Sequence, residues 1–211
     1  MPTSILIPMH RDIRLTRRSI LTAAIAAAAV PFLPMRAAAL TTSQASGLVE
    51  QVATEITRII NSGQSEATMI RDFDRLMGRY ADMPTIAQSV LGPPARSASR
   101  AQLSAFADAF QSYMARKYGR RFREFIGGTV SVQGAQDTGR YIEVVSVVRI
   151  PGEAPFEVRF RVWDRSGRPL FIDMLIEGVS LVISERAEIG SIMDRNGASI
   201  DATTQALRNL G

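Results

Sequence analysis

Apolar residues recur every three or four positions between residues 42 and 126, and every second position between 129 and 177. This change of period separates a helical half from a stranded one. Over 42–62, Leu48, Val49, Val52, Ile56, Ile59 and Ile60 share one helical face, and Asn61-Ser62-Gly63 ends the helix. A second helix over 65–81 starts at a Ser65 cap and turns Met69, Ile70, Phe73, Leu76 and Met77 inward. A short third, Met83 to Leu91, stops at Gly92-Pro93-Pro94. Ser99 opens a long helix whose stripe of Leu103, Phe106, Phe110, Tyr113, Met114, Phe122 and Phe125 extends over six or seven turns, with Gly119 as the place where it bends.

Four strands follow, Thr129–Gln133, Arg140–Ile150, Phe156–Asp164 and Pro169–Glu177, joined at Pro151-Gly152 and Ser166-Gly167 in the last two connections. Phe156, Val158, Phe160 and Val162 alternate with Glu157, Arg159, Arg161 and Trp163, so the sheet has one apolar face. Helices from Leu181 to Arg195 and from Ser199 to Leu210 close the chain. Helices, then an antiparallel meander, then helices make an α+β plan. A curved sheet wrapped on the long helix forms a cone whose open end can hold an apolar ligand.

Composition changes this picture at the N-terminus. Residues 11–39 run from a basic stretch through an apolar segment too short for a membrane span to Ala37-x-Ala39. This is an export signal cleaved near Ala39, and Thr16-Arg17-Arg18-Ser19-Ile20-Leu21 fits the twin-arginine type, with an ordinary Sec signal as the alternative. The signal holds five Arg and one Asp, so cleavage lowers the formal net charge from +5 to +1. The basic balance belongs to the signal, and the case for a nucleic-acid partner goes with it. The mature chain also has no Cys, and its only His, His10, leaves with the signal. A Ser-His-Asp or Cys-His arrangement and a His/Cys zinc site are thereby excluded. Lys117 is the only lysine, which argues against Schiff-base chemistry. No cofactor, metal or catalytic residue is expected.

Asp173 and Glu177 bracket the last strand. Four residues apart, their carboxylates stand about 13 Å from each other at roughly 3.3 Å per residue, beyond the 5–9.5 Å of a glycosidase pair. Both read as architectural. Arg116, Lys117, Arg120, Arg121 and Arg123 form either a solvated helix face or a site for lipid phosphates or an acidic partner. Gly178-Val179-Ser180 lacks the flanks of a nucleophile elbow. An enzyme with Asp173 as base and Tyr113, Tyr118 or Tyr141 as donor, and an adaptor with a solid core, are the competing readings.

The C-terminal stretch "FIDMLIEGVSLVISERAEIGSIMDRNGASIDATTQAL" resembles the MlaC family, the toluene-tolerance auxiliary proteins. The likeness rests on the Asp173 strand, on Glu177-Gly178-Val179-Ser180-Leu181 followed by Arg186, and on the segment from Ile189 to Leu207. The helix "FADAFQSYMARKYGRRF", with its Lys117-Tyr118 pair, is similar to another family element. Three departures stand out: Pro169-Leu170 and Pro93-Pro94 where many members carry a Trp, and Ser184-Glu185 where they often carry Asn-Tyr.

The resemblance implies an NTF2-like fold with an N-terminal helical subdomain, residues 40–211 forming one lipid-binding domain. It implies a periplasmic carrier that takes a phospholipid by its acyl chains between an inner-membrane ABC transporter with an MCE-domain subunit and an outer-membrane lipoprotein complex. A hopanoid-pathway lipid is the alternative cargo. The acyl chains would meet Phe106, Phe110 and Tyr113 on the long helix and Phe156, Val158, Phe160, Met174 and Ile176 on the sheet. Val179 and Val182 would complete the wall. Asp173, Glu177, Gly178 and Arg186 would form the rim, with Gly178 turning strand into helix and Glu177 ion-paired to Arg186.

Overall fold

The computed structural model describes residues 39–210. The expected export signal, up to residue 38, and His10 lie outside the described residues. The described chain forms helices α1 (Thr42–Ile60), α2 (Glu66–Tyr80), α3 (Met83–Leu91), α4 (Arg100–Gly119), α5 (Leu181–Arg195) and α6 (Ile200–Asn209). Its strands are β1 (Thr129–Asp137), β2 (Ile142–Arg149), β3 (Phe156–Trp163), β4 (Leu170–Ile176) and β5 (Val179–Ser180). Each helix starts on a side-chain cap. Thr41 and Ser99 form reciprocal boxes with Gln44 and Gln102, while Ser65, Asp82, Ser180 and Ser199 each accept one backbone N–H.

The strands pair antiparallel in the order β1-β2-β3-β4-β5, an open meander. The α+β architecture with a curved antiparallel sheet against helices is the one expected from the pattern. A bulge between Val132 and Gly134 lets β1 continue past Gln133 to Asp137 and bends this edge of the sheet. The long helix is shorter than its apolar stripe. It ends at Gly119, where a Cβ would stand 2.8 Å from Cγ1 of Ile70, so α2 crosses there at a distance only glycine allows. Phe122–Phe125 form a separate 3₁₀ turn.

Gly178 has a different task from the one expected. Glu177 and Gly178 both have positive φ, 49° and 80°, and join β4 to β5 as a two-residue hairpin with Ile176 opposite Val179. The helix begins one step later, on the Ser180 cap.

Apolar packing falls into two clusters. One holds α1 and part of α2 against the inner face of the sheet, through residues such as Val49, Val52, Val144, Val158 and Phe160. The other is helical, with Phe106 and Phe110 of α4 enclosed by α2, α3, α5 and α6. Phe73 and Phe171 touch both clusters.

Asp173 fastens the helical cluster to the sheet. Its Oδ2 accepts from Ser180 Oγ at 2.7 Å and Arg161 Nη1 at 3.2 Å. Its Oδ1 accepts from the N–H groups of Met174 at 2.8 Å and Val182 at 3.2 Å. One buried carboxylate thus holds the start of α5, where the helix dipole favours negative charge, onto β3 and β4. Asp173→Ala is expected to lower stability to urea by about 3 kcal/mol, since it removes the buried acceptor shared by Arg161, Ser180 and the Val182 N–H at the start of α5. Asp173→Asn, which keeps an acceptor, should recover part of that. A loss below about 1 kcal/mol for the alanine variant would show that α5 is held by apolar packing alone.

Candidate ligand cavity

The two clusters do not close on each other. Between them lies a cavity of about 440 Å³. Its helical wall is built from residues such as Met77, Met83, Ile86, Val90, Phe110 and Met114, and its sheet wall from Val148, Phe156, Val158, Phe160 and Met174, with Val52 from α1. Period two on β2 to β4 and period three to four on α2 to α4 put these side chains on facing surfaces. Phe160 meets Phe171 edge-on at 5.8 Å and Phe73 meets Phe122 edge-on at 4.8 Å, bracing the wall.

The mouth is fixed by strand register. Thr129 pairs with Arg149, Val148 with Phe156, and Val158 with Ile176, so β1 and β3 start where β2 and β4 end. The exposed members of the lining, Arg121, Thr129 and Ile176, all belong to this end. The end of α1 is tied in by Gly127 N–H, which donates to Asn61 Oδ1 at 3.0 Å. Polar groups in the lining are few: Thr57, Thr129 and Arg121 at the mouth side, and Tyr118, Asp173 and Glu185 elsewhere.

Glu185 interrupts the apolar face of α5 and is only 2 % exposed. Its Oε1 accepts from Lys117 Nζ at 2.7 Å and Tyr118 Oη at 2.6 Å. Lys117 also donates to Glu188 Oε2 at 2.6 Å, and Tyr113 Oη donates to Glu188 Oε1. Lys117 is therefore no part of a solvated basic face. Burial pulls its pKa down, but the bonds to Glu185 and Glu188 hold it above its ordinary value. Burial and the Glu188 bond push the Tyr113 hydroxyl up to about 12. Burial, with the Glu185 bond, raises Tyr118. The Lys117 bond, with that of Tyr113, holds Glu188 below its ordinary value of 4.5.

The sequence-derived candidates divide. Phe110, Phe156, Val158, Phe160, Met174, Ile176 and Val182 line the cavity, as does Asp173. Phe106 does not: it is fully enclosed in the helical cluster, stacked on Phe110 at 6.0 Å. Tyr113 is engaged with Glu188 outside the lining, and Val179 points to solvent on the rim. The Glu177–Arg186 ion pair is replaced by two backbone contacts. Glu177 Oε1 accepts from Glu157 N–H at 2.6 Å, and Arg186 Nε donates to the Ser89 carbonyl at 2.7 Å. Glu177 ties the hairpin to β3, and Arg186 ties α5 to the end of α3. Ile86, Val90 and Met83 on α3 were missed, because a short apolar helix carries no sign that one of its faces borders a cavity. Glu185 gave a sign, a charge in an apolar stripe.

The family model described as MlaC protein matches residues 50–209. Among solved structures, the chain is similar to the phospholipid-binding protein from Ralstonia solanacearum in complex with a phospholipid. It is 19 % identical, with 79 % of this chain and 96 % of that chain covered and a TM-score of 0.67. That likeness establishes the fold.

Lys117→Met is expected to cost about 3–5 kcal/mol, because it leaves Glu185 buried and uncompensated. Glu188 has a depressed folded-state pKa, so its contribution is present above about pH 4.5 and lost as pH falls through that pKa. The stability gap between wild type and Lys117→Met should therefore narrow on acidification below about pH 4.5. Parallel acid-unfolding curves for the two would remove the pairing from the account.

Proposed function

The chain belongs to the MlaC family, and on that premise we propose that it is a lipid carrier that holds a phospholipid by its acyl chains in the cavity between its two cores. The observation that supports this most is the cavity itself: apolar along both walls, polar only in a few places, and open at one end of the sheet. Exposing a methylene to water costs about 0.8 kcal/mol, so a 16-carbon chain costs on the order of 12 kcal/mol. A cavity of this kind removes that cost during transit. The head group stays at the mouth, within reach of Arg121, Thr57 and Thr129.

In this reading Phe110, Phe156, Val158, Phe160, Met174, Ile176 and Val182 contact acyl chains. Asp173 and Glu185 hold the wall in place. Neither is a catalytic group: the Asp173 carboxylate is saturated by four donors, and Tyr118, which borders the cavity, donates to Glu185. The protein works in the periplasm after export and removal of residues 1–39. It exchanges its cargo with an inner-membrane ABC transporter bearing an MCE-domain subunit and with an outer-membrane lipoprotein complex.

Native mass spectrometry of protein purified without detergent, followed by organic extraction, tests the reading. A co-purifying phospholipid near one per chain is the expected result. A polycyclic hydrocarbon would replace the cargo with a hopanoid-type lipid. Protein free of lipid that takes none up from vesicles would overturn the carrier. Val158→Glu, placing a charge on the sheet wall, should abolish lipid retention while the far-ultraviolet circular dichroism stays native.

A further inference from the structure

Exposed large apolar side chains are not scattered over this molecule. Among the described residues there are five: Ile126 at 55 %, Ile176 at 38 %, Val179 at 61 %, Ile183 at 65 % and Leu210 at 41 % exposure. Leu210 follows the last helix. The other four stand at the end of the sheet where the cavity opens. Ile126 follows the 3₁₀ turn that leads into β1. Ile176 and Val179 face each other across the β4–β5 hairpin, and Ile183 is in the first turn of α5. Ile176 also lines the cavity, so the exposed patch is continuous with the cavity wall. Four aliphatic side chains held in water around one opening point to an apolar phase that covers them part of the time.

Charge at the same end identifies that phase. Arg58 in the last turn of α1, Arg120 after α4, Arg123 in the 3₁₀ turn and Arg149 at the end of β2 are all exposed. No carboxylate pairs with any of them among the described residues. The acids nearby are Glu124, paired with Arg121 at 2.9 Å, Glu157, paired with Arg159 at 2.5 Å, Glu177, which accepts from Glu157 N–H, Glu153 in the β2–β3 turn and Glu66 at the start of α2. The rim thus carries an excess of unpaired guanidinium groups around aliphatic tips. Guanidinium is the side chain best matched to phosphate oxygens. Aliphatic tips inside a basic collar match the boundary between head groups and acyl chains of a bilayer.

We infer that this rim docks directly on an anionic phospholipid bilayer, with Ile126, Ile176, Val179 and Ile183 entering the acyl boundary and Arg58, Arg120, Arg123 and Arg149 on lipid phosphates. The inference rests on the carrier reading and adds the surface through which cargo passes. With the mouth seated in the bilayer, an acyl chain slides from membrane to cavity without crossing water. The collar of arginines then selects membranes that carry net negative charge.

Flotation with vesicles of phosphatidylcholine alone, or mixed with phosphatidylglycerol, reads this out. Wild-type protein should float with the mixed vesicles, more weakly with phosphatidylcholine alone, and less as salt is raised. Val179→Asp with Ile183→Asp should weaken association roughly tenfold or more, the scale of losing buried aliphatic side chains. Arg120→Glu with Arg123→Glu should abolish the preference for anionic vesicles. All four positions are exposed, and unchanged thermal melting confirms that the variants fold. Wild type that floats with neither vesicle while carrying co-purified lipid overturns the inference and assigns the rim to a protein partner, leaving the carrier reading intact. Variants that float as wild type overturn it as well. Flotation of protein from which no lipid can be extracted upholds the surface and sinks the carrier.

Discussion

Apolar surfaces in water close on each other, so two cores that flank a cavity stay apart only where bonds between their elements fix the spacing. Here the fixing bonds are charge-assisted and anchored on buried carboxylates. Asp173 pins the start of α5 to β3 and β4. Glu185 and the exposed Glu188 stiffen the helical side itself, tying the next turns of α5 to Tyr113, Lys117 and Tyr118 of α4. Asp82 joins helix to sheet at the closed end, capping α3 through Thr85 N–H while accepting from Trp163 Nε1 at 3.0 Å and from Ser166 of the β3–β4 turn. Burial alone would raise the Asp82 pKa, but the bonds from Ser166, Thr85 and Trp163 outweigh it and hold the carboxyl below its usual range. Hydrophobic burial drives the assembly, and these carboxylates set the distance at which it stops.

That division of labour explains why the walls can be made of ordinary core residues. Val158 and Phe160 have the burial of a packed interior, yet they face space as well as neighbours. Methionine at positions 77, 83, 114 and 174 gives the lining polarisable, rotatable side chains that suit a ligand of variable chain length.

Much of the fold was legible because period and punctuation agree. Ser65 and Ser99 cap the helices they were expected to cap, and Arg159 and Arg161 of the outward row form ion pairs with Glu143 across the sheet. The cavity was legible only in part. Phe106 and Phe110 lie four residues apart on one stripe, and nothing local distinguishes the one packed wholly within the helical cluster from the one that also borders the cavity. Burial is decided by neighbours distant in sequence, which periodicity does not encode. Glu185 was legible as an anomaly without an explanation, because its partners Lys117 and Tyr118 are 68 and 67 residues away. The ion pair expected between Glu177 and Arg186 failed for a geometric reason: the hairpin turns Glu177 back toward β3, while α5 directs Arg186 toward the end of α3.

Lys117, the only lysine in the sequence, is committed on both sides to carboxylates. The positive surface of this protein is consequently made of guanidinium groups. Amine-reactive crosslinkers, the usual reagents for trapping transient complexes, find almost nothing to couple to and report the protein as solitary whatever it meets. Carboxylate-directed or photoactivated chemistry, placed near Glu153 or Glu177 at the mouth, is the route by which its neighbours become visible.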